Sequence, residues 1–137
     1  HVFLVSPVGF GRAEESAQDN VYMAQDGFDA DRALAQHAEL VAAVSRVVPA
    51  TVFPGRPETP DAVFPNNVFA TAPGRLVIGA MKHPVRQREA DRSDLPAWCA
   101  QAFGMSVIRL AAPGVVTELT GPLIIDRGRG LGFCGLS

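Results

Sequence analysis

Two turn signals constrain this chain more than any other feature. Ala72-Pro73-Gly74-Arg75 lies between apolar runs at 68–71 and 76–80, and Arg127-Gly128-Arg129-Gly130 lies between runs at 123–126 and 131–134. Glycine and proline set between short runs rich in Val, Ile, Leu and Phe turn the chain back on itself, so both stretches read as antiparallel hairpins. The glycines of the second turn sit inside a hairpin rather than between a strand and a helix. They read as turn residues and not as a phosphate loop.

Other elements follow from periodicity and punctuation. Val2-Phe3-Leu4-Val5 reads as a strand stopped by Ser6-Pro7, and Thr51-Val52-Phe53 and residues 105–110 read as further strands. Over 32–47, Leu34, Ala38, Val41, Ala42, Ser45 and Val48 recur at helical spacing behind an Asp29 or Asp31 cap, which predicts an amphipathic helix covering a sheet face. A second helix over 95–103 starts at Ser93-Asp94-Leu95-Pro96, presents Leu95, Trp98, Cys99 and Ala102, and stops at Gly104. Residues 81–92 read as a polar, basic connection, and 12–27 as a polar loop with a short extended piece at 21–23. Strand, helix, strand, hairpin, helix, strand, hairpin is an α/β arrangement of similar modules, expected to form a single domain over 1–137.

Composition excludes several classes. Of 137 residues 47% are hydrophobic, enough for a buried core, and 12 basic against 14 acidic residues leave a net charge of −2. Without a field of one sign, neither nucleic acid nor an anionic membrane is an implied partner, and no apolar run approaches the ~18 residues of a membrane span. Cys99 and Cys134 show no C-x-x-C spacing, so no zinc site or disulfide framework is indicated, both read as small buried hydrophobes, and a cytoplasmic setting is expected. No metal or other cofactor is implied.

Three places could carry chemistry. In 60–71, Ala62, Val63 and Phe64 and then Val68, Phe69 and Ala70 have strand character, yet Asp61 and Asn66-Asn67 bracket the first run. The amides either form a turn or, with Asp61, line a pocket for a cationic small molecule. Arg86-Gln87-Arg88-Glu89 is either a solvated face or an Arg fork for a carboxylate. Glu118, the one acid in the run Val115-Val116-Thr117-Glu118-Leu119, is either salt-bridged or used to orient a base. His37 reads as a helix-surface or packing residue, and His83 lacks a nucleophile or acid placed beside it.

Taken in order, Val5-Ser6-Pro7-Val8-Gly9-Phe10 with Asp19-Asn20, Pro60-Asp61-Ala62-Val63-Phe64-Pro65-Asn66-Asn67, Met81 with Arg86-Gln87-Arg88-Glu89, and Glu118-Leu119-Thr120-Gly121 before Leu123-Ile124-Ile125-Asp126 resemble the guanidino-group-modifying (pentein) superfamily. The likeness is to its amidinotransferase and arginine-deiminase-related branch and covers nearly the whole chain. The resemblance implies part of a five-bladed β/α propeller, and a hydrolase or amidinotransferase acting on arginine or a related guanidino compound. It implies that Asp61, Asn66 and Asn67 face the guanidinium with Phe64 packed beside it, that Arg86 binds the substrate carboxylate, and that Glu118 orients the catalytic histidine. Asn67 stands where deiminases carry Asp, and Ser6 where many relatives carry Arg. In this superfamily a cysteine thiolate attacks the guanidinium carbon; that cysteine and the histidine belong to later modules, outside this chain. Part of a propeller leaves strand edges and apolar faces uncovered, so a homodimer or a complementary C-terminal fragment is the expected partner.

Overall fold

The computed structural model describes residues 1–11, 29–119 and 123–135, which group into two compact units, His1–Pro65 and Asn66–Ser137. Asp19-Asn20, the extended piece at 21–23, Thr120-Gly121 and the Cys134 side chain lie outside the described residues.

In the N-terminal unit, β1 (Val2–Val5) and β2 (Ala50–Phe53) run parallel, with Val2 opposite Ala50 and Val5 opposite Phe53. A parallel pair needs a crossover, and α1 (Ala30–Ser45) lies within it. Asp29 caps α1, its Oδ1 accepting from the Arg32 N–H at 2.9 Å. The half-buried positions of α1 and its end are Ala33, His37, Val41, Val44 and Val48, one helical face. This corrects the expected stripe: Leu34 is exposed, no residue of α1 is buried, and His37 is a packing residue. The ladder continues beyond the strands as the Ser6 N–H donates to the Phe53 carbonyl at 2.9 Å.

The loops after β1 and β2 then cross closely. A Cβ on Gly55 would lie 2.2 Å from the Ser6 carbonyl oxygen, and one on Gly9, at φ +79°, would lie 2.6 Å from the Arg56 backbone. Only glycine fits either place.

The C-terminal unit contains a three-stranded sheet in the order β3 (Phe69–Ala72), β4 (Arg75–Ile78), β5 (Ser106–Arg109). β3 and β4 form the expected hairpin about Pro73-Gly74, with Gly74 at φ +69°. β4 pairs parallel with β5 through a crossover containing α2 (Pro84–Ala90) and α3 (Asp94–Phe103). The central strand buries Leu76 and Ile78, and α3 buries Leu95 and Cys99, one turn apart. Gly104 ends α3 in the left-handed region, as expected. β6 (Leu123–Asp126) and β7 (Leu131–Cys134) form the second hairpin.

Two expectations need correction. The polar connection at 81–92 contains a helix, α2, whose buried face consists of Val85, Arg86, Glu89 and Ala90. Two charged residues on the inner face hide the apolar period, and Pro84 stands in the first turn, where proline is tolerated. Residues 62–64 are turns rather than a strand: the Ala62 N–H donates to the Thr59 carbonyl and the Phe64 N–H to the Asp61 carbonyl, each at 3.0 Å, and a 3₁₀ turn, Pro65–Asn67, follows. Pro60 and Pro65 each withdraw a backbone donor that a ladder would need. Among the described residues no helix is long and apolar enough to cross a membrane.

Candidate functional site

The end of β4 is where the C-terminal unit gathers its polar groups. Beyond Ile78 the Gly79 N–H donates to the Val68 carbonyl at 2.8 Å, prolonging the hairpin by one rung. Ala80 then forms an antiparallel bridge with Thr117: the Thr117 N–H donates to the Ala80 carbonyl at 2.8 Å, and the Thr117 hydroxyl accepts from the Ala80 N–H at 3.0 Å. Next in line, Glu118 Oε1 accepts from the Lys82 N–H at 3.4 Å. The Leu119 N–H donates to the Asn67 carbonyl at 2.9 Å. Asn67 and Glu118, 51 positions apart in sequence by the difference of their numbers, are thereby joined through one main-chain network.

Gly79 permits this approach. A Cβ there would lie 2.5 Å from the Thr117 carbonyl oxygen and 3.2 Å from Leu119 Cγ. Glu118 and Asn67 are half-buried, so the network holds a carboxylate and an amide residue at the border of solvent and core, and Asn66, next to Asn67 in the chain, is exposed. Such a carboxylate can orient a base or neutralise a cation, and the amides can accept from or donate to a polar ligand.

Arg86 stands on α2, after Lys82 and His83. It is neither a solvated residue nor an isolated fork: Arg86 is 5% exposed and Glu89 2%, and Arg86 Nη1 lies 3.3 Å from Glu89 Oε1. Gln87 ties α2 back to the end of β4, its Nε2 donating to the carbonyls of Met81 at 3.1 Å and Lys82 at 3.4 Å. The pairing of Glu89 with Arg86 and the tie from Gln87 to the end of β4 are not among the sequence expectations. The signal available was the i, i+3 spacing of Arg86 and Glu89 behind a helix-starting proline.

Two sequence-predicted residues belong to the N-terminal unit. Asp61 is buried, at 3% exposure, while Phe64 is half exposed and meets Phe10 edge to face with ring centroids 5.8 Å apart. Cys99 is sealed in the core, and burial raises its thiol pKa, which keeps it protonated and unreactive. Among the described residues no group of three or more His, Cys, Asp or Glu side chains could hold a metal ion. A cleft of about 540 Å³ lined by Gly79, Met81, Asp91, Arg109 and Ala112 among others takes in none of Asn66, Asn67, Arg86 and Glu118.

Comparison with known proteins follows the same lines. The family described as N,N dimethylarginine dimethylhydrolase, eukaryotic, matches residues 6–137. Among solved structures, the N-terminal domain of ArgZ bound to substrate, an arginine dihydrolase from the ornithine-ammonia cycle in cyanobacteria, is 18% identical with a TM-score of 0.75, over 98% of this chain and 48% of that one. A dimethylarginine dimethylaminohydrolase variant in adduct with S-methyl-L-thiocitrulline is 21% identical with a TM-score of 0.67, over 90% of this chain and 45% of that one. AgrE in ternary complex with ornithine and NAD+ is 18% identical with a TM-score of 0.74, over 98% of this chain and 19% of that one. At these identities the likeness is one of fold, and the chain spans about half the length of the ArgZ domain or less of its other neighbours. No curated protein matches it.

Proposed function

The chain belongs to the N,N dimethylarginine dimethylhydrolase family, and from that premise we propose that it is the substrate-binding portion of a hydrolase acting on the guanidino group of arginine or a methylated arginine. The observation that carries the reading is the family match over 6–137 together with the network that joins Asn67 to Glu118. The hydrolase and not the amidinotransferase is proposed, because the matching family is named for hydrolysis. The fold would be part of a five-bladed β/α propeller.

In this reading the motif at 60–67 supplies Asp61, Asn66 and Asn67 for the guanidinium, with Phe64 as its apolar neighbour. A buried carboxylate attracts a cation more strongly than a solvated one, since the field is less screened. Arg86 takes the substrate carboxylate. A guanidinium offers five donors in one plane, so it can serve a carboxylate of the substrate while it stays beside Glu89. Glu118 orients a histidine that serves as general acid and base.

That histidine and a nucleophilic cysteine are supplied by residues outside this chain. The thiolate attacks the guanidinium carbon, the C–N bond to the leaving amine breaks as histidine protonates that amine, and an amidino-cysteine forms. Water activated by the same histidine then releases the ureido product and the thiol.

The test is turnover of arginine and methylated arginines by the full-length protein, followed as citrulline. Turnover with thiol labelling by a haloamidine is expected. Measurable arginine binding with neither turnover nor labelling would leave a binding module and end the enzyme reading.

A further inference from the structure

We propose that Thr117 and Gly79 are positioning residues for Glu118: the hydroxyl of one and the missing side chain of the other set where the carboxylate stands. The inference rests on the role given to Glu118 above and goes beyond it, to the groups that aim it.

Glu118 is held from both sides. On one side Thr117 exchanges two hydrogen bonds with Ala80, one through each residue's N–H, at 2.8 and 3.0 Å. On the other, the Leu119 N–H is fixed to the Asn67 carbonyl at 2.9 Å. With both neighbours tied, the Glu118 carboxylate retains only its own side-chain torsions, and Oε1 meets the Lys82 N–H at 3.4 Å. The second bond of the Ala80 bridge is unusual because a side chain makes it. In an antiparallel pair that exchanges both bonds, two main-chain carbonyls accept; here the Thr117 Oγ1 takes the place of one and also donates to the Leu110 carbonyl at 3.5 Å. A β-branched side chain bonded at both its donor and its acceptor has one χ1 available, so the hydroxyl fixes the backbone that carries Glu118.

Gly79 sets the distance between the two strands. Any Cβ would stand 2.5 Å from the Thr117 carbonyl oxygen, a backbone atom that cannot swing aside, so a side chain at 79 would push the Thr117–Leu119 segment outward. An orienting group must keep its geometry to about 0.5 Å, and these two residues supply that tolerance from outside the reacting groups.

The test uses Thr117→Val, Thr117→Ser, Gly79→Ala and Glu118→Gln in the full-length protein, with kcat, KM and thermal melts measured for each. Valine keeps the shape and loses the hydroxyl; serine keeps the hydroxyl and loses a methyl. Thr117→Val is expected to lower kcat at least tenfold with KM changed less than twofold, Thr117→Ser to stay within about threefold of the parent, and Gly79→Ala to follow the valine variant. Equal losses in the valine and serine variants, or a KM that rises as far as kcat falls, would overturn the inference. If the valine variant does not fold, Gly79→Ala against Thr117→Ser decides by the same criteria. A silent Glu118→Gln removes the reading of Glu118 and this inference with it, whereas an impaired Glu118→Gln beside an unimpaired Thr117→Val overturns the inference alone.

Discussion

Two ion pairs in the C-terminal unit share a spacing and a distance and differ in everything else. Arg86 and Glu89 on α2 are three residues apart with a contact of 3.3 Å, and so are Asp126 and Arg129 at the β6–β7 turn. The side chains of Arg86 and Glu89 are 6% and 2% exposed, those of Asp126 and Arg129 30% and 80%. The hairpins beside them differ in the same way. β3–β4 buries Phe69, Leu76 and Ile78, while β6–β7 leaves Ile124 67% and Phe133 57% exposed. Local sequence makes the pair or the hairpin; neighbours decide what it is worth. β4 has a strand on either side, whereas among the described residues β6 and β7 pair only with each other.

The largest expected effect tests the ion pairs. Arg86→Met takes away a counter-charge of a buried carboxylate and is expected to cost about 3–5 kcal/mol, whereas Arg129→Ala should cost no more than about 1 kcal/mol. Urea denaturation of both variants measures this, and similar midpoints would erase the contrast. The hairpins come next. Leu76→Ala is expected to cost about 2–5 kcal/mol through lost burial and the cavity left behind, against about 0.5 kcal/mol or less for Ile124→Ala. Should Ile124→Ala prove as costly, the β6–β7 face is covered in solution.

The smallest effect belongs to Cys99, buried one helical turn from Leu95 in the better-buried region. Burial raises its thiol pKa above the ordinary 9.0, so the unfolded chain gives up this proton at lower pH than the folded one. The stability so contributed is present in full below the unfolded value and is lost as pH rises through the folded one. Melting temperatures taken from pH 8 upward should fall less steeply in Cys99→Ala, and the native thiol should resist alkylation at neutral pH. Rapid labelling of Cys99 in the folded protein would show that this face of α3 opens.

Legibility follows the same division. β1, β2, α1, α3 and both hairpins lie within a residue or two of where period, caps and turns put them, because a four-residue strand or a glycine at positive φ is specified by its own neighbours. The misread places are those where a local pattern served a distant partner. α2 was hidden because half its buried face is charged, and residues 62–64 have strand composition but proline-flanked turns. Of the candidate site, the residue types at Asp61, Asn66, Asn67, Arg86 and Glu118 stood out in the sequence. Burial of Arg86 against Glu89 did not, nor did Gly79 and Thr117 as the contact that carries Glu118.

What the sequence determined by itself was therefore a set of short elements, their order, and a family motif at 60–67 flanked by an Arg and an acid. Only the tertiary structure decided which of those polar residues share an environment. The Asn67 carbonyl, the Ala80 and Lys82 N–H groups and the segment Thr117-Glu118-Leu119 meet because main-chain donors and acceptors from three separated segments must each find a partner. That requirement acts across space and leaves little trace in the local pattern of residues.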